Sequence, residues 1–427
     1  MRLRTTRFLC VAALSAASGA VGLAQSAPAT RFTPALIERA DVRAALAYVD
    51  RNFEQQVAEW IRITEIPAPS GQEAKRAAYV SAELQKLGLK PTVDPFGNVI
   101  ARRPGTGGGP TLVFAAHLDT VFPVGTNITV RKMGDGTMHA PGVFDNSASV
   151  ANMLQAARAL HAAKIQTRGD VLFLGTAQEE VGLKGMYYWL EHNKGVADML
   201  VALDSGLGPV NYGALGIYWS RMSFTAAGAH TNNSRGVPNP ARAAAQCITD
   251  IYTIPLPEPD APVSAVYNVG GLMTGGSVVN AVPAEVTFSV DLRTVDPQML
   301  KTLDAAILGK CEAAAKAHRV GFTRTFIQRS EAGGRPEHLE DRRRHPLVQT
   351  AVDVLEHLGV ALPAGREAIA SGSTDANVGV VNGVPSIAVG RSRGGDQHTL
   401  QEWTDIDSAK IGTKQIILLA TALAEIN

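Results

Sequence analysis

Four short apolar runs constrain this chain more than any other feature. Thr111–Ala116 (TLVFAA), Val171–Gly175 (VLFLG), Met199–Leu203 (MLVAL) and Val384–Gly390 (VPSIAVG) are continuous rather than alternating. A strand with one face in water alternates apolar and polar residues, whereas an uninterrupted run suits a strand covered on both faces. Helical patterns lie between the runs. Glu73–Leu87 carries Ala74, Ala77, Ala78 and Leu84, and Ser147–Ala163 carries Val150, Leu154, Ala157 and Leu160. Strand alternating with helix implies an α/β sandwich around a largely parallel sheet.

The stretch from Gly213 to Arg329 breaks that pattern. It predicts a strand at Ile217–Ala226, a helix at Pro240–Tyr252, strands at Ser264–Val269 and Ala284–Leu292, a helix at Pro297–Ala317 and a strand at Val320–Ile327. The order β-α-β-β-α-β is that of a ferredoxin-like α+β module. It sits between two parts of the α/β pattern, so residues 213–329 are expected to form an inserted domain between residues 32–212 and 330–427. A chain of 427 residues accommodates two such units. The mixed run Glu337–Arg344 is expected to be a solvated connector returning from the insert.

Composition excludes several classes. With 40 basic against 39 acidic residues and a net charge of +1, nothing points to a nucleic-acid surface or a polybasic membrane patch. At the N-terminus, Arg2, Arg4 and Arg7 precede an apolar, small-residue stretch from Phe8 to about Leu23, then Gly22, Ala24 and polar Gln25 and Ser26. That order is a secretory signal, too short and too rich in Ala, Ser and Gly for a membrane span. Residues 1–24 are therefore expected to be removed and the protein exported. No other segment predicts a span. Cys247 and Cys311 remain after removal and are read as two buried free thiols, although export permits a disulfide.

Each buried run of the α/β pattern leads into a metal-type ligand. TLVFAA leads to His117 and Asp119, VLFLG to Glu179 and Glu180, and MLVAL to Asp204. Asp145 lies in a loop before a helix, and His398 follows the glycine-rich Gly394-Gly395-Asp396-Gln397. In open α/β sheets, ligands bind at the carboxyl ends of strands, so these side chains can converge on one crevice. One carboxylate can bridge two divalent ions while His and carboxylate ligands complete each sphere. Ions about 3.5–4 Å apart acidify a shared water and polarise a scissile carbonyl. A carboxylate outside the ligand set is needed to take the proton and pass it to the leaving amine. The Glu179-Glu180 pair supplies one base and one ligand. Asp119 is placed to orient the His117 imidazole.

These motifs carry a family resemblance. His117-Leu118-Asp119-Thr120-Val121-Phe122-Pro123, Gly142-Val143-Phe144-Asp145-Asn146, Gln178-Glu179-Glu180-Val181-Gly182, Leu203-Asp204-Ser205 and His398-Thr399 resemble the zinc exopeptidases that include carboxypeptidase G, peptidase T and aminoacylase. They fall in the family's order across nearly all of the mature chain, and Ser373-Thr374-Asp375-Ala376-Asn377 is most similar to the peptidase T-like branch. The resemblance implies two divalent ions, zinc being the expected metal. One would be held by Asp145, Glu180 and His398, the other by Asp145, His117 and Asp204, with Asp145 bridging and Glu179 as general base. It implies that the insert is a lid, which in that family commonly also makes a homodimer. His230 would help hold the substrate carbonyl, and Asn280 and Arg293 would grip a substrate carboxylate. Phe144 departs from the pattern, replacing a usually smaller residue, and Asn146 stands where many members have a second acid. Neither removes a ligand, but both reshape the pocket.

Three functions stay open at this point. The first is a lidded dizinc amidohydrolase cutting a peptide or N-acyl amide bond, as an exopeptidase on short peptides or as an N-acyl-amino-acid deacylase. The second is a lidless dizinc aminopeptidase, against which the inserted segment argues. The third is a non-catalytic binding protein, in which Glu179 and the five ligands would serve no purpose. His139 lies near the motifs but is read as a bystander, and the other histidines as surface or helix residues.

Overall fold

The structure, a computed structural model, describes residues 30–258, 261, 263–362 and 372–427. The expected signal segment 1–24 lies outside these residues. The strands that position the site are β1 (Val99–Arg103), β2 (Leu112–His117), β3 (Val171–Thr176) and β4 (Met199–Leu203). They are followed by β5 (Gly216–Thr225), β6 (Ala265–Val269), β7 (Glu285–Thr294), β8 (Gly321–Ser330) and finally β9 (Ser386–Val389).

β1, β3, β2, β4 and β9 lie side by side in that order, with the two-residue strand Thr92–Val93 at the β1 edge. β3, β2, β4 and β9 are mutually parallel, and β1 joins antiparallel to β3. Every residue of β2, β3, β4 and β9 is buried, as their apolar runs require. The two-residue period divides them between two cores. Leu112, Phe114 and Ala116 join one face with Phe173 and Val201, while Val113 and Ala115 join the other with Leu172, Leu174, Leu200 and Ala388. Phe114 and Phe173 stack at 6.5 Å between neighbouring strands. Truncating either to alanine would cost about 3–5 kcal/mol, the lost transfer energy plus the cavity.

One side of the sheet is covered by helices Ser147–Ala162, Ala409–Leu423 and the N-terminal helices Ala40–Arg51 and Phe53–Thr64. Ser147–Ala162 is buried on nearly all sides, which its small residues permit. Trp60, fully buried, donates its indole N–H to the carbonyl of Val143 at 2.6 Å and so anchors the loop that carries Asp145. Gln56 Nε2 donates to Asn152 Oδ1 and Thr413 Oγ1, both at 2.8 Å, joining three of these helices.

β5 to β8 form a separate antiparallel sheet in the order β6-β7-β5-β8, the order 2-3-1-4 of a β-α-β-β-α-β module. Its helices are Pro240–Ile251 and Pro297–His318. Both begin with an acceptor followed by proline: Asn239 accepts from Ala241 N–H, and Asp296 from Gln298 and Met299 N–H. The helices pack on one face of this sheet around Met222, Phe224, Phe288, Val290 and Leu292. Here the free-thiol reading is corrected. Cys247 and Cys311 are buried, but they face each other across the two helices with Cα atoms 4.7 Å apart and form a disulfide. Helix–helix packing, not sequence spacing, brings them together.

The run 337–344 also differs from its expectation. Most of it belongs to the helix Pro336–Arg343, which Glu340 stabilises through ion pairs to Arg343 and Arg344, both at 2.9 Å. A third sheet of short strands runs Gly394–Gly395, Trp403–Asp405, Thr137–His139, Arg131–Lys132. It lays the loop carrying His398 beside the loop carrying Asp145. Gly394 is required there, since a Cβ would stand 2.5 Å from the Phe144 ring and 2.6 Å from the carbonyl of Trp403. Among the described residues, no helix is long and apolar enough to cross a membrane.

Candidate metal centre

The strand ends deliver the candidate ligands. His117 is the last residue of β2, Asp204 follows β4, and Glu179 and Glu180 lie three and four residues beyond β3. Asp145 lies two residues before helix Ser147–Ala162, and His398 follows the glycine strand with a left-handed φ of 64°. His117 Nε2 lies 3.1 Å from Asp145 Oδ1 and 3.9 Å from Asp204 Oδ2. On the other side, His398 Nε2 lies 3.5 Å from Asp145 Oδ2 and 3.1 Å from Glu180 Oε2. Asp145 thus turns one oxygen to each histidine.

These residues form two triads, His117–Asp145–Asp204 and Asp145–Glu180–His398, whose ligand atoms lie within 4.8 Å of one another. Each offers one imidazole nitrogen and two carboxylates, a donor set suited to a divalent ion such as zinc. Glu180 Oε1 is buried with no hydrogen-bond partner, a cost that a cation would remove. The residues fit a two-ion centre.

Glu179 lies beside both triads and is 7 % exposed. Burial pushes its carboxyl well above the usual carboxylate range; His117 opposes the shift, while Asp204, Glu180 and Asp375 add to it. Asp119 is fully buried. Its carboxylate accepts from Ser70 Oγ at 2.7 Å and from the backbone N–H of Glu179 at 3.0 Å and Glu180 at 3.2 Å. Its backbone carbonyl lies 3.1 Å from His117 Nδ1, closer than its carboxylate at 3.4 Å. The imidazole is therefore set mainly by the main chain of Asp119, while the side chain clamps the Glu179-Glu180 loop.

Several supporting groups are not among the expected site residues; of these only Asp375 lies in a motif quoted above. Glu402 accepts from the backbone N–H of Gly142, Phe144 and Asp145 at 2.7–2.9 Å and so shapes the loop of the shared aspartate. Glu73 accepts from Gly71 and Gln178 N–H at the other loop. Asp375 accepts from Thr176 Oγ1 at 2.5 Å, and burial pushes its carboxyl up to about 7. Arg391, 2 % exposed, follows β9 and reaches Asp204 Oδ1 at 2.5 Å. Single charged residues of this kind look like surface charge in a sequence; only the fold shows them to be buried.

The expected substrate residues stand apart. His230 is exposed, in a two-stranded ladder opposite Ala281, and Thr231 N–H donates to the carbonyl of Asn280. Arg293 on β7 pairs with Asp291 at 3.0 Å and lies 5.8 Å from the Trp219 ring centroid. Among the described residues, none of the three contacts the two triads through a hydrogen bond or ion pair. The insert meets the Glu179-Glu180 loop elsewhere, where a Cβ on Gly182 would stand 3.1 Å from Gln328 of β8. His139 lines a hollow of about 590 Å³ with Thr126, Asn127, Arg131, Pro141 and Leu400, flanking the loops of Asp145 and His398.

The chain is similar to succinyl-diaminopimelate desuccinylase of Corynebacterium glutamicum, 31 % identical over 181 residues, covering 41 % of this chain and 47 % of that protein. The first of its curated relatives match over about a third to a half of their own length, and others over up to 72 %. In fold it resembles aminopeptidase PepT of Bacillus cereus, with a TM-score of 0.68, 22 % identity and coverage of 88 % of this chain and 99 % of that one. It also resembles the YXEP protein of Bacillus subtilis, described as a dinuclear metal-binding peptidase, with a TM-score of 0.62, 15 % identity and coverage of 88 % and 100 %. Residues 113–422 match peptidase family M20/M25/M40. The chain belongs to that family and is a metallohydrolase.

Proposed function

We propose that the protein is a two-ion exopeptidase of short peptides, with zinc as its metal and Glu179 as its general base. One observation carries this reading: two ligand triads share Asp145, each carboxylate oxygen faces a different histidine, and a buried carboxyl outside both triads lies beside them. Bound ions would polarise the scissile carbonyl and acidify the attacking water. Glu179 would accept the proton lost by that water as the new C–O bond forms, then deliver it to the amine nitrogen as the C–N bond breaks. The raised affinity of its carboxyl for a proton suits both directions of transfer. Asp119 would fix His117 and hold the Glu179-Glu180 backbone in register.

His230, Asn280 and Arg293 would complete the site when the insert closes, within one chain or across a homodimer, gripping the substrate carbonyl and carboxylate. Closure would also exclude water. The hollow beside the His398 loop offers room for a short peptide. Residues 213–329 are proposed as this lid. We also propose export after removal of residues 1–24, which the Cys247–Cys311 disulfide supports, since such bonds persist in oxidising compartments.

A deacylase is the second reading, favoured by the 31 % identity to a desuccinylase. Zinc-loaded protein assayed on tripeptides, dipeptides and N-acetyl-, N-succinyl- and N-carbamoyl-amino acids separates the two. Highest kcat/KM on a peptide supports the exopeptidase. Highest kcat/KM on an N-acyl amino acid replaces it with the deacylase.

A further inference from the structure

Arg391 is not needed to complete either triad, yet it lies against one of them. Its Nη1 donates to Asp204 Oδ1 at 2.5 Å and to Asn146 Oδ1 at 3.2 Å, and its Nη2 lies 3.3 Å from Asp145 Oδ1. The guanidinium carbon stands 4.1 Å from the Phe144 ring centroid. The side chain is buried, and its Nε has no hydrogen-bond partner. The main chain is fixed as well, its N–H donating to the carbonyl of Ser205 and its carbonyl accepting from Asn152 Nδ2. Burial depresses the guanidinium's affinity for its proton, but Asp145 and Asp204 more than offset that.

The contacts are one-sided. Asp204 and Asp145 Oδ1 belong to the His117 triad, and Asp204 keeps Oδ2 toward His117 while Oδ1 faces Arg391. Among the described residues, neither Glu180 nor His398 contacts an arginine or lysine. Two neighbours of Asp145 surround the same group: Phe144 supplies the face on which the guanidinium lies, and the neutral Asn146 accepts a hydrogen bond from it where an acid would form a third ion pair.

We propose that Arg391 is a resident counter-cation, sharing Asp145 and Asp204 with the ion held by His117, so that this position binds its ion more weakly than the Asp145–Glu180–His398 position. The inference rests on the two-ion reading above. Its physical basis is charge. A permanent positive group touching two of three ligands stabilises the carboxylates before an ion arrives and repels the ion when it does. The opposite expectation, that Arg391 only orients its ligands, predicts a loss of metal affinity of roughly 10–100-fold on its removal.

The test measures metal, not turnover. Zn²⁺ affinity of each position is read by competition with a chelating indicator, using Glu180→Gln to isolate the His117 side and His117→Ala to isolate the other. The Glu180→Gln protein is expected to bind at least tenfold more weakly than the His117→Ala protein. Adding Arg391→Met to Glu180→Gln should tighten binding tenfold or more, and Arg391→Lys, which keeps the charge, should not. Asn146→Asp, which adds an acid beside the guanidinium, should also tighten it and serves if Arg391→Met fails to fold. Metal-free Arg391→Met should lose more in melting temperature than the zinc-loaded form, whereas a packing role would lower both equally. Unchanged or weakened affinity in Arg391→Met or Asn146→Asp overturns the proposal while leaving the two-ion centre standing. A wild-type protein that binds fewer than two ions overturns both.

Discussion

The Cys247–Cys311 disulfide makes a prediction whose size follows from its place in the chain. The two cysteines are separated by 64 residues, and both are buried between the helices of the second sheet. In the chain-entropy account, closing a loop of that length removes about 14 cal/mol/K from the unfolded ensemble, or roughly 4 kcal/mol at 25 °C. The double change Cys247→Ala with Cys311→Ala also removes two buried sulfur atoms, a packing loss in the same direction. Urea unfolding monitored by far-ultraviolet circular dichroism, on protein purified without reductant, should show the unfolding of the second sheet and its helices shifted by about 4 kcal/mol. Oxidised wild type should release no thiol to a thiol reagent in denaturant after removal of residues 1–24. Two reactive thiols per mature chain, or a double variant with an unshifted transition, would refute the reasoning.

Two further perturbations address the site. The Asp375 carboxyl is raised from 3.8 to about 7, chiefly by burial, so the folded state holds its proton more tightly than the unfolded one. Its stabilising contribution is then full below about pH 3.8 and is lost as pH rises through about 7. Asp375→Asn should remove that loss, giving metal-stripped variant a growing advantage over wild type between pH 4 and 8, on the order of 4 kcal/mol; parallel stability profiles would exclude this. His230→Ala should lower kcat on the best substrate by about 10²-fold, leave zinc content intact, and change stability by less than about 0.5 kcal/mol because the residue is exposed. An undiminished kcat would remove His230 from the proposed substrate contacts.

Apolar continuity made the parallel strands legible, because burial on both faces leaves no choice of residue type, and their ends fell within two residues of the expected positions. Two candidate ligands were legible for the same reason: His117 and Asp204 stand where apolar runs stop, and the fold brings them together. β1 was missed because Val99–Arg103 ends in two arginines and only Val99 and Ala101 are buried, so it has no continuous apolar run. The small sheet beside His398 rests on two- and three-residue strands with no periodicity to detect. Glu402, Glu73 and Arg391 act mainly through contacts more than a hundred residues distant in the chain, and the disulfide depends on how two helices meet. Long-range packing leaves no local mark. The placement of His230 shows the converse: its motif was visible, but the described contacts do not bring it to the triads.

In the proposed mechanism a two-ion centre carries the reaction and Glu179, outside its ligand set, moves the proton. Glu179→Gln tests both halves at once, since glutamine keeps the shape and loses the base. Elemental analysis of the purified variant should find two ions per chain, as in wild type, while kcat falls by about 10²–10⁴-fold or more. A variant that holds both ions and turns over at the wild-type rate would contradict the account, and one that loses an ion would make Glu179 a ligand instead.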